Sequence, residues 1–305
     1  VGSIDVIGVP SSMGAFAPGQ ERAPAALRDA GLVGRLEDAG FEVRDRGDAE
    51  LLRWFPDREH PFAQHVGAVR DVALETADRV SSVDGDLALV LGGDCTIELG
   101  TLAGLQRRLD GSVGLVYFDL HADMNTPATV RWGALDSMGV AHALGDDLAE
   151  PVLATAFHRS PLLRPEELWL FGHGDGSGQD HERERISALG IGRSPVEDVA
   201  ADPTGAAERA LDAFAGRVDS LAVHLDVDVI DFVDLPLQEN VDRNEGLSFD
   251  ATITALGVLL AHPAVKAFTI CELNPDHDPD GSAVPRFVDG IVDALMSRTV
   301  SGRRG

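Results

Sequence analysis

Val113-Gly-Leu-Val-Tyr-Phe-Asp-Leu-His-Ala-Asp123 decides how this chain is read. Its first six residues are apolar without alternation, the pattern of a strand buried on both faces of a parallel sheet. Asp119, His121 and Asp123 then follow at a spacing of two. Residues two apart on extended backbone project to one side, so the three can converge where the strand ends. Hard divalent cations take carboxylate oxygen, and imidazole widens the choice to manganese, iron, cobalt, nickel or zinc.

The device recurs at Asp226-Val-Asp228, which closes the expected strand from Leu221 to Leu225. Two carboxylates buried side by side are costly without a cation or a proton between them. One acidic strand end alone is as often a helix cap or loop turn as a ligand pair. Two such ends, one containing histidine, point to a metal site. A third strand end, Gly92-Gly-Asp-Cys95, follows Leu87 to Leu91 and leads into a helix. Its glycines permit a tight turn, and a cysteine at a helix start favours a thiolate. Taken alone it reads equally well as a strand-to-helix turn with a buried thiol.

Around these three ends, short β-branched runs alternate with amphipathic stretches, predicting a mostly parallel sheet with helices on both faces. Strands are expected at Ile4–Val9, Leu87–Leu91, Val113–Asp119, Leu168–Phe171, Leu221–Asp226 and Val265–Glu272, with a weaker one near Phe41–Asp45. Helices fit Pro24–Ala30, Phe62–Ser81, Ile97–Leu109, Asp180–Leu189, Thr204–Ala215, Phe249–Ala261 and Pro285–Ser297. With no Pro/Ser-rich linker and no repeat, the expectation is one three-layer α/β/α domain over residues 1–297. A basic tail, 298–305, is expected to be disordered. Ligands of open α/β sheets bind beyond the carboxyl ends of strands, where the acidic residues gather.

The formal charge of −26 and pI near 4.5 exclude nucleic acid and anionic membrane as partners and would draw in a cationic substrate. Lys266 is the only lysine, so compositional bias or a salty cytoplasm stands ahead of substrate steering as the origin of that charge. Cys95 and Cys271 make no disulfide framework, and no stretch approaches the roughly 20 apolar residues that span a bilayer. A soluble, cytoplasmic protein is expected.

The ordered set Gly92-Gly-Asp-Cys95, Asp119-Leu-His-Ala-Asp-Met-Asn-Thr-Pro127, Leu225-Asp-Val-Asp-Val-Ile-Asp231 and Glu272-Leu-Asn-Pro275 resembles the ureohydrolases: arginase, agmatinase, formiminoglutamase and relatives. Pro10-Ser-Ser-Met-Gly14 and Gly19-Gln-Glu-Arg-Ala-Pro24 look like the N-terminal loop and first helix of arginase, so the likeness covers nearly the whole chain.

The resemblance implies an arginase-like fold and two Mn2+ ions bridged by hydroxide. Carried over by position, Asp119 and Asp226 bridge the ions, His121 and Asp228 bind the second, and Asp123 binds the first and accepts a hydrogen bond from the hydroxide. Glu272 would grip a guanidinium and Asn125 a substrate carboxylate. The implied reaction is hydrolysis of a guanidino carbon-nitrogen bond by metal-bound hydroxide, with urea released from arginine or a relative. A homo-oligomer, trimer or hexamer, is also implied.

This sequence departs from the family at several of these places. Cys95 stands where most members have a histidine ligand to the first ion, as in the similar hydroxyarginine hydrolases. Two Mn2+ remain the expectation, with one ion or a softer metal as the alternatives that Cys95 opens. Asp136 stands where arginases have a proton-shuttling histidine. Gly172-His-Gly-Asp175 replaces the segment that recognises the amino group, leaving Asp175 as its candidate, while Trp132 and Ala134 replace smaller polar residues. A formimino or N-hydroxyguanidino substrate, or a non-catalytic relative with an impaired first site, are the alternatives. His60, His65, His158, His173, His181 and His277 read as surface or capping residues, and His142 as packing or capping. The loop Phe232–Gly246 is expected to edge the pocket.

Overall fold

A computed structural model describes residues 2–301 other than 177, 242 and 279. Eight strands form one all-parallel sheet: β1 Ser3–Gly8, β2 Glu42–Asp48, β3 Leu87–Leu91, β4 Val113–Phe118, β5 Leu168–His173, β6 Gly192–Pro195, β7 Ser220–Asp226 and β8 Val265–Cys271. Their spatial order is β2-β1-β3-β8-β7-β4-β5-β6. The last strands in sequence thus fill the gap between β3 and β4, placing four chemistry-bearing strand ends side by side: β3, β8, β7 and β4.

The helices cover both faces, and β3 shows why its sequence is apolar throughout. Leu87, Leu89 and Leu91 pack in a core with the helices Ala23–Asp29, Leu32–Asp38, Pro203–Phe214, Phe249–Ala261 and Ala283–Ser301. Ala88 and Val90 point the other way, into a core with the helices Val66–Ser81 and Ile97–Arg108. Each face buries its own alternate residues, so no polar position survives. The outer strand β2 is charged and largely exposed, a composition that discourages pairing with another chain.

The expected architecture is present, with local differences. Strand β6, Gly-Arg-Ser-Pro, lacks the apolar signal that marks a strand and forms only by parallel pairing with β5. The helix expected from Phe62 begins at Val66, because His65 takes a left-handed φ of 54°. The last helix runs past Ser297 to Ser301, with the Arg298 guanidinium donating to the carbonyls of Leu260 and Val265. The expected disordered tail therefore loses its first residues to that helix, and 302–305 lie outside the described residues. No helix among the described residues is long and apolar enough to cross a membrane.

Candidate active site

Sheet register places the acidic strand ends in one row. Phe118 pairs with Leu225 and Asp226 with Cys271, so Asp119, Asp226 and the β8 terminus end together. Cys95 comes from the turn after β3, and its approach depends on Gly93. A Cβ there would overlap the Ser11 carbonyl oxygen, to which Asp94 N–H donates at 3.0 Å. The Gly93 carbonyl in turn accepts from Glu272 N–H at 2.9 Å, tying the ends of β3 and β8 together.

His121 Nδ1 lies 3.0 Å from Asp228 Oδ2 and 3.6 Å from Asp119 Oδ1. Asp226 accepts from Asp228 N–H at 2.7 Å and from the Cys95 thiol at 3.1 Å. Tyr117 donates its hydroxyl to Asp123 Oδ2 at 2.5 Å. Glu272 accepts from Cys95 N–H at 3.0 Å and from the Gln20 amide at 2.9 Å. Asp123 and Glu272 are two of four described non-glycine residues with left-handed φ, 48° and 62°. Such backbone costs of order 1–3 kcal/mol and clusters where a site dictates geometry.

The electrostatics are those of anions crowded out of water. Burial raises the carboxyl pKa of Asp119, reinforced by Asp228, and pushes those of Asp123 and Asp226 well above the usual range, aided by neighbouring carboxylates. Burial likewise raises Glu272 and Asp136, with Asp136 bearing on Glu272 and Asp94 on Asp136. Burial is the largest influence on Asp228 and works to raise it, but the charge of His121 together with hydrogen bonds from His121 and Asn240 holds Asp228 low. The thiolate expected of Cys95 is opposed, because burial and then the Cys271 thiol drive its pKa up. Both cysteines are free and buried.

A cation fits these residues. Asp119 Oδ2 and Asp228 Oδ1 are buried with no hydrogen-bond partner among the described residues, a cost that a metal bond removes. One ligand atom each from Asp119, His121 and Asp228 lie within 4.8 Å of one another, as do those of Cys95, Asp119, His224 and Asp226.

The cluster opens on a cavity of about 460 Å3. Cys95, His121, Asp123, Asp226, Asp228 and Glu272 face it. Its walls add Asn125 and Asp136, its rim the exposed aromatics Phe16 and Trp132, and the loop Phe232–Gly246 contributes Asn240, which donates to Asp228 Oδ2 at 3.0 Å.

Of the sequence candidates only Asp175 is not brought here. Its carboxylate pairs with Arg193 and lines a separate surface cleft. Glu182 reaches the cavity from the same segment instead, accepting from Met124 N–H and the Asn125 amide at 3.1 and 3.2 Å. As a helix N3 glutamate it carried no signal beyond capping. His173, read as surface or capping, is fully buried, and burial takes its pKa down to about 4. His224 was missed, although His224, Asp226 and Asp228 repeat the spacing of two that singled out Asp119, His121 and Asp123.

An all-parallel α/β sheet thus gathers a cluster of carboxylates, imidazoles and thiols, candidate metal ligands, at its central strand ends, where open α/β sheets bind ligands. The arginase family model matches residues 3–296. The chain therefore belongs to the arginase family, and with it to the hydrolases of carbon-nitrogen bonds. It is 30% identical to an arginase of Brevibacillus brevis over 240 residues, covering 77% of this chain and 78% of that one. The solved arginase of Bacillus caldovelox superposes with a TM-score of 0.82 at 27% identity, covering 98% of both chains. A formimidoylglutamase of Bacillus subtilis shares the fold alone, at 18% identity and a TM-score of 0.76, covering 97% of this chain and 87% of that one.

Proposed function

We propose that this chain hydrolyses a guanidino carbon-nitrogen bond in the cavity over the Asp119–Asp226 cluster, releasing urea from arginine or a related compound. The observation that carries the reading is the position of Glu272. Its carboxylate is held between Gln20 and Cys95 N–H at the wall of the cavity into which Asp123, His121 and Asp228 also face.

Asp119, His121, Asp226 and Asp228, with Cys95 and Asp123, would hold the metal, and the carboxylates that predominate among them suit Mn2+. Metal bound there supplies the polarising charge that lowers the pKa of water from 15.7 to about 7. Asp123, fixed by Tyr117, orients the attacking water by accepting its hydrogen bond. Glu272 pairs with the guanidinium and presents its planar carbon to that water. The water passes a proton to Asp123 as it adds, the carbon becomes tetrahedral, and the carbon-nitrogen bond then breaks as the departing amine takes a proton from Asp136, whose pKa burial raises. Asn125, braced by Glu182, meets the distal end of the substrate.

A second reading, an N-hydroxyguanidino or formimino substrate, is motivated by the thiol of Cys95 in the cluster and by the altered segment Gly172–Asp175, whose Asp175 pairs with Arg193 instead. We place the catalytic unit in one domain that extends through the last helix, Ala283–Ser301, acting in the cytoplasm as a homo-oligomer, trimer or hexamer. Support for the compartment is the pair of free thiols, and for the oligomer the family resemblance alone. Release of urea from arginine, agmatine and guanidino acids, and of hydroxyurea from hydroxyarginine, measured with added Mn2+, tests the reading. Release from at least one guanidine is expected, and none from any of them would overturn it.

A further inference from the structure

His224 is fully buried on β7, two residues before Asp226 and so on the same side of the strand. Its Nε2 lies 3.3 Å from Cys95 Sγ, and its ring stacks on Tyr117 with centroids 4.3 Å apart. On the other side Nδ1 is 3.5 Å from Glu98 Oε2. Glu98 is 3% exposed on the helix Ile97–Arg108, and neither of its carboxylate oxygens has a hydrogen-bond partner among the described residues. A carboxylate and an imidazole at this depth are expensive unless something beyond the pair uses them.

One such use is metal ligation. A ligating histidine nearly always turns its other ring nitrogen to a carboxylate, a backbone carbonyl or a water, which fixes the tautomer and the ring orientation. Glu98, His224 and the cluster stand in that order. The donor atoms of Cys95, Asp119, His224 and Asp226 lie within 4.8 Å of one another, and the unpartnered Asp119 Oδ2 is buried among them.

We infer that His224 is a metal ligand, completing with Cys95, Asp119 and Asp226 a site of one sulfur, one nitrogen and two oxygens that Glu98 orients. That donor set fits a borderline cation, Zn2+ or Co2+, better than Mn2+, because thiolate and imidazole are softer than carboxylate. The neighbouring set of Asp119, His121 and Asp228 stays richer in oxygen, so the two positions differ in preference. The inference rests on the reading of this cluster as a cation site and adds a ligand, an orienting residue and a metal class to it.

The test is direct metal binding. Metal-stripped protein given one equivalent of Zn2+ is expected to show, by X-ray absorption, one sulfur at about 2.3 Å and imidazole nitrogen at about 2.0 Å. A shell with no sulfur, or with two (the geometry that Cys271 would give), overturns the inference. One equivalent of Co2+ should give a thiolate charge-transfer band that Cys95→Ser abolishes. His224→Asn should weaken that binding at least 100-fold, and Glu98→Gln, which keeps the side-chain volume, 10- to 100-fold. Unchanged affinity in both variants overturns the inference while leaving hydrolysis in place. Wild-type protein that binds neither Zn2+, Co2+ nor Mn2+ overturns the inference and the proposed function together.

Discussion

His142 should make this protein acid-labile through a single buried imidazole. Its Nδ1 faces the Met138 carbonyl at 2.7 Å, and its Nε2 accepts from Glu150 N–H at 3.1 Å. Both ring nitrogens are thereby committed to the neutral tautomer, and protonation would set an N–H against the Glu150 N–H. Burial accordingly lowers its pKa from 6.5 to about 4. The sign follows from which state binds the proton. Between pH 6.5 and 4 the unfolded chain is protonated and the folded one is not, so stability is whole above 6.5 and falls as pH falls. The full displacement is worth roughly 3 kcal/mol, of which about 2 kcal/mol is lost by pH 5. The consequence reaches the active site, because the helix Gly139–Ala143 that carries His142 also donates Val140 N–H and Ala141 N–H to the Asp123 carbonyl. Denaturant unfolding of wild type and His142→Gln at pH 7.5 and pH 5 measures the effect. The carboxylates titrate in both proteins and cancel in the difference, so the wild type should lose about 2 kcal/mol more than the variant. Equal losses would refute the argument.

Other expectations follow from single contacts. Tyr117→Phe removes the hydroxyl that fixes Asp123, and kcat should fall about 10-fold, roughly 1.4 kcal/mol, with KM nearly unchanged in steady-state kinetics. Glu272→Gln keeps the shape but not the charge facing a guanidinium, so kcat/KM should fall by about 1.5–3 kcal/mol, or 10- to 150-fold. Gly93→Ala places a methyl against the Ser11 carbonyl oxygen and should lower stability by about 1–3 kcal/mol in denaturant titration.

The readable and unreadable parts of this molecule divide along physical lines. Val113–Phe118 and Leu87–Leu91 announce themselves because burial on both faces removes every polar residue, and Asp119, His121, Asp123, Asp226 and Asp228 because acids at a spacing of two contradict such surroundings. Gly192–Pro195 is a strand only because β5 is beside it, so its own four residues hold no signal. Asp175 and Glu182 are seven residues apart on one segment, and which of them meets Asn125 depends on a turn that local sequence does not encode. His224 differs: it stands at a spacing of two from Asp226, the same legible pattern, but as one histidine inside a strand it carries no partner in local sequence. Its meaning needed Cys95 and Glu98, which arrive from 129 and 126 positions away.

The most direct test of the central claim is to measure Mn2+ binding and urea release together in wild type and Asp226→Ala, using whichever guanidine the wild type turns over. Wild type should bind the cation and release urea, and the variant, without the carboxylate shared by the cluster, should lose both. A variant that binds Mn2+ and turns over like wild type would contradict the account.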